Sequence, residues 1–291
     1  MNPASDARPA NDVRPGASEA AVAARAARRL KSIRREGGLA TALRFVSYGS
    51  LLLLWLIGSR TMGTEVLPGP LEVLGFVARE IENGRLAFHV WITTRRVLIA
   101  FAIALTAGVA LGALMGRSKR ADDLLQGWLI VTLTVPRILL FVVAYLIAGL
   151  NDRALIVALV VTVLPTIVVT IREGTRALDG GLIEMARAFR RSRLQVWQRV
   201  ILPQLMPFVV GTARGALALS WKMVVLGELL GRTSGVGYQI SFYFQFFNMR
   251  GILAYGITMM VLLAFIDLVA MGWLQRRAFR WRAPIKVGSV G

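Results

Sequence analysis

The chain has 291 residues, of which 56% are hydrophobic and 18% charged, with no cysteine and a formal net charge of +19. That composition excludes a disordered chain, a disulfide-stapled scaffold and a cysteine-ligated zinc site. A mean hydropathy of +0.60, together with several nearly charge-free runs of bilayer-spanning length, points to a polytopic membrane protein rather than soluble domains.

Residues 1–42 read as a basic cytoplasmic tail. They carry Pro3, Pro9 and Pro15 and lack the short apolar core and small-residue cleavage site of a signal peptide. From Glu19 to Glu36 Pro and Gly disappear, and Arg25, Arg28, Arg29 and Lys31 predict an interfacial helix lying on anionic headgroups. A solvated arm is the equal alternative for residues 1–18.

Spans are predicted at 43–59, 97–116, 127–149, 153–171, 207–230 and 251–274, each able to cross a core about 30 Å thick. They define a permease domain over 43–274 and leave 275–291 as a C-terminal tail. Six spans place both termini on one side. With the termini inside, inner segments hold 24 of the 35 Lys and Arg and outer segments eight, Arg95 and Arg96 among them. The positive-inside rule therefore predicts cytoplasmic termini, and the basic charge marks topology, not a nucleic-acid groove.

After the first span, Pro70 signals a helix over Leu71 to Glu82 that is too polar to span and is expected at the outer interface. His89 has no cysteine or second histidine to complete a metal set.

Ionisable groups inside spans are costly and should face an aqueous path or a partner. They are Arg137, Arg214, Lys222, Glu228 and Asp267. Pro136 breaks the third span, and Arg137 beside it has no acid in its own span, so it is expected to face a solute pathway. Lys222, after Trp221, either adds to a positive field with Arg137 or pairs with Glu228 about two turns on, the pairing being the first expectation. Asp267 is expected to pair with a neighbouring helix and Arg214 to snorkel toward the inner end. Six aromatics between Tyr238 and Phe247 read as an interfacial belt, or as part of an outer gate or receiving surface.

The loop over 172–206 is the longest between predicted spans. It runs Glu184-Met185-Ala186-Arg187-Ala188-Phe189-Arg190-Arg191-Ser192-Arg193-Leu194-Gln195-Val196-Trp197 and ends Val200-Ile201-Leu202-Pro203. Helical periodicity gathers Ala186, Phe189, Leu194, Trp197 and Ile201 on one broad face, an apolar surface suited to a partner's groove.

On these residues the chain resembles permease subunits of binding-protein-dependent ABC importers. Their cytoplasmic signature is Glu-Ala-Ala, three residues, Gly, nine residues, a β-branched residue, one residue, then Leu-Pro. Glu184, Ala186, Val200, Leu202 and Pro203 fall on it, with Met185 replacing the first Ala and Arg190 the Gly. Leu67-Pro68-Gly69-Pro70 and Gly227 to Tyr238 are similar to segments of the branch serving nitrate, sulfonates, taurine and bicarbonate.

The resemblance implies an all-α type I importer permease with six transmembrane helices in the bacterial inner membrane. It acts with a second copy, most simply as a homodimer, with two cytoplasmic ATPase subunits and an extracytoplasmic solute-binding protein. Glu184, Ala186, Arg187, Phe189, Arg190, Leu194, Leu202 and Pro203 would form the ATPase-coupling helix. Pro136, Arg137, Trp221, Lys222 and Glu228 are the candidate substrate pathway for a small, anionic solute. The chain has no Gly-x-x-x-x-Gly-Lys-(Ser/Thr) loop, so no enzyme activity is expected of it, and ATP and Mg belong to the partner ATPase. With Arg in place of the signature Gly, the coupling helix is expected to run straight from Glu184 to about Trp197, Arg190 reaching an acidic residue of the ATPase. The alternative is one specialised half of an asymmetric pair. Rival readings are an ion-coupled secondary transporter or channel, for which Glu228 and Asp267 are the only membrane carboxylates, and a membrane enzyme, which lacks a catalytic constellation.

Overall fold

The computed structural model describes residues 42–272; the predicted basic tail with its interfacial helix and the C-terminal tail lie outside that range. Among the described residues the regular structure is all helical. Helix α1 (Ala42–Met62) belongs to one compact unit, and the chain from Glu65 onward forms another. Nearly every apolar side chain of α1 is exposed, as suits a helix bathed in hydrocarbon.

In the second unit α2 (Pro70–Glu82) starts with Pro at its first turn and is the short helix read from the sequence. Helix α3 (Arg85–Arg117) begins a full three turns before the expected span and is 33 residues long, about 50 Å and more than a bilayer core requires. The predicted third span is two helices, α4 (Lys119–Thr134) and α5 (Arg137–Ala148), bent by 99° at Val135-Pro136. The bend has a local cause: Pro136 removes a backbone donor and disfavours helix at the residue before it, and Val135 is extended, at φ −64° and ψ 130°.

Helix α6 (Asp152–Arg176) is capped by Asn151, whose side chain accepts the Ala154 N–H at 2.9 Å. Then come α7 (Gly180–Ala188), α8 (Arg193–Val196), a π-helical turn (Trp197–Ile201) and α9 (Leu202–Gly231). The segments from Arg193 to Gly231 read as one 39-residue helical column. Its wide turn, in which the Leu202 N–H reaches back to the Trp197 carbonyl, lies just before Pro203, where an α-helical ladder would lose a donor. Helix α10 (Val236–Gln245) and α11 (Met249–Phe265), prolonged by a π-helical stretch (Ile266–Met271), complete the unit.

The core is the contact of α3 with α6 and α9. Along α3, Gly108, Gly112 and Gly116 recur every fourth residue and form one face. A Cβ on them would lie 2.7 Å from Ile167 Cγ2, 2.7 Å from the Val168 carbonyl and 2.5 Å from Thr175 Cβ. Hydrocarbon supplies no hydrophobic drive between helices, so close backbone approach along such a small-residue stripe is what holds the pair. Val97, Ala100, Leu155, Leu159, Ile167, Trp221 and Val224 fill the remaining layers.

Candidate functional site: coupling segment, bent span and outer ion cluster

Helix α7 starts at Asp179, whose carboxylate accepts the N–H of Gly181 at 2.8 Å and of Leu182 at 3.4 Å. The Asp179 N–H in turn donates to Gln204 Oε1 at 2.9 Å, and Gln204 Nε2 donates to the Val200 carbonyl at 3.1 Å. The cap of α7 is thereby fastened to the first turn of α9. Ala186 and Val196 are buried, whereas Glu184, Met185, Arg187, Phe189, Arg190, Leu194 and Trp197 stand exposed, Phe189 at 72%. Leu202 and Pro203 are half-buried at the head of α9.

The expected straight helix is corrected here. Helix α7 ends at Ala188, and Arg190 is left-handed with φ 53°. The Arg190 N–H bonds the Arg187 carbonyl at 2.8 Å and the Arg191 N–H bonds the Ala186 carbonyl at 3.2 Å. Those two bonds make a Schellman motif with Arg190 in the position usually given to Gly. Ser192 then caps α8 in a reciprocal box with Gln195. The signature glycine thus corresponds to a turn that this chain makes with arginine, against a left-handed penalty. Phe189, at the cap of α7, and Leu194, in α8, are separated by this turn and do not belong to one continuous helical face.

In the bent span, Arg137 is exposed at the first turn of α5 and makes no hydrogen bond or ion pair among the described residues; Pro136 before it is exposed as well. Lys222 is exposed and unpaired in the same sense, while Trp221 beside it is buried with its indole N–H unpartnered. The Phe141 ring lies against Gly227 and the Tyr145 ring against Gly231, with the Tyr145 hydroxyl donating to the Gly227 carbonyl at 2.8 Å. Helices α5 and α9 therefore run parallel with a constant offset, which sets Arg137, one turn before Phe141, at the level of Met223 and its neighbour Lys222.

The expected pairing of Lys222 with Glu228 is also corrected. Glu228 is fully buried, and Arg96 Nη1 donates to it at 2.6 Å; it further accepts from the Thr93 hydroxyl at 2.9 Å and the Gly237 N–H at 2.9 Å. Arg96, counted from sequence in an outer loop, is 1% exposed inside α3 and also donates to Asp152 at 2.8 Å and to the carbonyl and hydroxyl of Ser234 at 2.7 and 2.9 Å. Arg232 adds a 2.6 Å contact to Asp152 and a further bond to the Leu150 carbonyl. His89 has a use apart from metal: its Nδ1 accepts the Gly235 N–H at 3.0 Å and its Nε2 meets Gln239 at 2.6 Å. His89, Thr93 and Arg96 share one face of α3 at helical spacing and hold the 232–239 segment. That spacing is legible in sequence, but only if α3 is known to begin at Arg85.

Elsewhere Arg214 forks onto Asp267 at 2.6 and 2.5 Å, which is the neighbouring-helix partner expected for that aspartate. Asp122 joins α4 to α6 through Arg172 at 3.2 Å and Arg176 at 2.5 Å. The aromatic run divides: Tyr243 packs in the unit against Phe76 and Tyr255, whereas Phe244, Phe246 and Phe247 are exposed. Burial, reinforced by the Glu80 carboxylate, pushes the Tyr243 hydroxyl above its ordinary titration range.

A bundle of apolar helices with one broken span, and a short helix docked on the head of its 39-residue column, has the architecture of a transport permease. The chain belongs to the family of binding-protein-dependent transport system inner membrane components, which matches residues 104–280. It is 27% identical over 234 residues to the putative aliphatic sulfonates transport permease protein SsuC of Bacillus subtilis (strain 168), covering 80% of this chain and 84% of that one. It is 25% identical over 199 residues to the nitrate import permease protein NrtB of Synechococcus elongatus, covering 65% and 71%. A chain of the inward-facing MetNI methionine ABC transporter superposes with a TM-score of 0.60 at 21% identity, covering 68% of this chain and 98% of its own, and shows the shared fold. The protein is a permease subunit of an ABC importer with the type I fold.

Proposed function

We propose that two copies of this chain enclose a pathway for a small anionic solute, delivered by a solute-binding protein and driven by ATP hydrolysis on two separate cytoplasmic subunits. The observation that carries the anionic reading is that Arg137 and Lys222, at the same level of adjacent parallel helices, are each exposed and make no ion pair among the described residues. A lone cation in hydrocarbon is costly, so such a pair belongs in water or against a negative ligand. Relatives named for sulfonate and nitrate transport agree with that charge. Glu228 and Trp221 then serve as wall and not as lining. The exposed face of α7 and its Arg190 turn meet the ATPase, and the excess of Lys and Arg beside it supports a cytoplasmic position for that end and for both termini.

The test is uptake of nitrate and of an alkyl sulfonate by the full complex in vesicles. Arg137→Gln abolishes or greatly weakens uptake while the ATPase still co-purifies. Unchanged uptake of the transported solute refutes the pathway role. ATP turnover by the permease chain purified without its partners refutes the division of labour.

A further inference from the structure

Beside the glycine stripe of α3, the helices α3, α4 and α6 leave a groove of about 210 Å³. Met115, Leu125, Trp128, Leu164 and Val168 line it. Thr132, also in the lining, turns its hydroxyl onto the carbonyls of Trp128 and Leu129, at 2.9 and 3.0 Å, and presents no free polar atom. A dry apolar cavity of about 150 Å³ in a soluble protein takes up a hydrocarbon as large as benzene, so this one has room for a stretch of alkyl chain. Pro165 on the α6 wall interrupts the ladder there, and Trp128 stands 72% exposed at the rim.

One end of the groove carries charge. Five residues before Leu125, roughly 7.5 Å along α4, stands Arg120, with Lys119 and Arg117 just beyond it in the α3–α4 turn. All three are exposed and make no ion pair among the described residues; the nearby Asp122 is consumed by Arg172 and Arg176, which leaves the exposed Asp123 as one acid against three cations. This end also carries α7, three residues after α6 closes at Arg176.

We propose that the groove is a binding site for an anionic phospholipid, its headgroup phosphate held by Arg117, Lys119 and Arg120 and an acyl chain laid against Met115, Leu125, Trp128 and Val168. Three features specify that occupant together: an apolar lining, a mouth where Arg117, Lys119 and Arg120 outnumber the one exposed acid Asp123, and lining residues spaced along the spans so that head and tail fall at their own depths. A second protein copy would satisfy the apolar wall and leave the three cations unanswered.

The full complex, purified in detergent, is loaded with phosphatidylglycerol or phosphatidylcholine and its retained lipid counted by native mass spectrometry. Phosphatidylglycerol is retained in preference, and neutralising Arg117, Lys119 and Arg120 to Gln removes the preference, by about fivefold for each cation. Leu125→Trp, which fills the groove, removes the bound lipid while the ATPase still co-purifies. The chain has no cysteine, so Trp128→Cys gives a unique spin-label site. A label reached by oxygen and not by an aqueous nickel complex supports the site. Equal retention of the two lipids, retention undiminished by Leu125→Trp, or a label shielded from both quenchers by a second copy overturns it.

Discussion

Asp179 and Gln204 join α7 to α9 by one bond: the amide oxygen of Gln204 accepts the Asp179 N–H at 2.9 Å, while the Asp179 carboxylate caps α7. Asp179 therefore starts α7 and, through its N–H, ties that start to the first turn of α9. A displacement of α7 reaches α9 through this clasp and not only through the turn behind it, since packed elements move as bodies.

Replacing Gln204 by Leu keeps the volume and removes the acceptor. Uptake falls while ATP hydrolysis by the assembled complex persists, which is the signature of uncoupling. Asp179→Ala also strips the cap, at a cost of about 1 kcal/mol to α7. Parallel measurement of uptake and hydrolysis decides the matter, and a proportional fall of both in Gln204→Leu contradicts the role.

Arg190 in the left-handed region separates folding from coupling. Arg190→Gly relieves the backbone penalty and raises thermal stability by up to about 1 kcal/mol, whereas Arg190→Val lowers it by at least as much. The same Arg190→Gly weakens association with the ATPase more than Arg191→Gly does. Stability read by thermal unfolding in detergent and affinity read by co-purification need not move together, and a loss of stability in Arg190→Gly would contradict the turn.

The outer cluster predicts a hierarchy. Arg96→Met strands Glu228, which is fully buried, and costs about 3–5 kcal/mol. Glu228→Gln keeps acceptors for Thr93 and Gly237 and costs less. The double variant costs less than the sum of the two, because each single change leaves a charge that the other removes. Strictly additive losses in thermal unfolding would show that the two side chains do not act as a pair.

Packing of α3 on α6 gives a clean contrast between two glycines. Gly112→Ala drives a methyl to 2.7 Å from the Val168 carbonyl and costs about 1–3 kcal/mol. At Gly127 a Cβ meets nothing within 4 Å, so Gly127→Ala is neutral or slightly stabilising in the helix. Equal effects would disprove the close contact.

Much of this was legible in the sequence, and the reason differs by element. Long apolar runs announce spans because hydrocarbon admits little else, and the Glu184 to Pro203 spacing announces the coupling segment. Arg96 escaped because a charge read in one dimension is assigned to water, and only the fold brings Glu228 and Asp152 to it from residues far along the chain. Arg190 escaped for the opposite reason. Its side chain suggested a continuous helix, but the backbone is decided by Ser192 and Gln195, which start a new helix two residues later. Pro136 marked a break correctly, without marking its 99° size.

That break also concentrates positive charge. Where α5 begins, its first-turn N–H groups carry about half a positive charge, and Arg137 adds a whole one at the same depth. In the pathway proposed above, that positive field would repel protons and alkali cations approaching the break, as half-helix ends do in water channels, while admitting an anion.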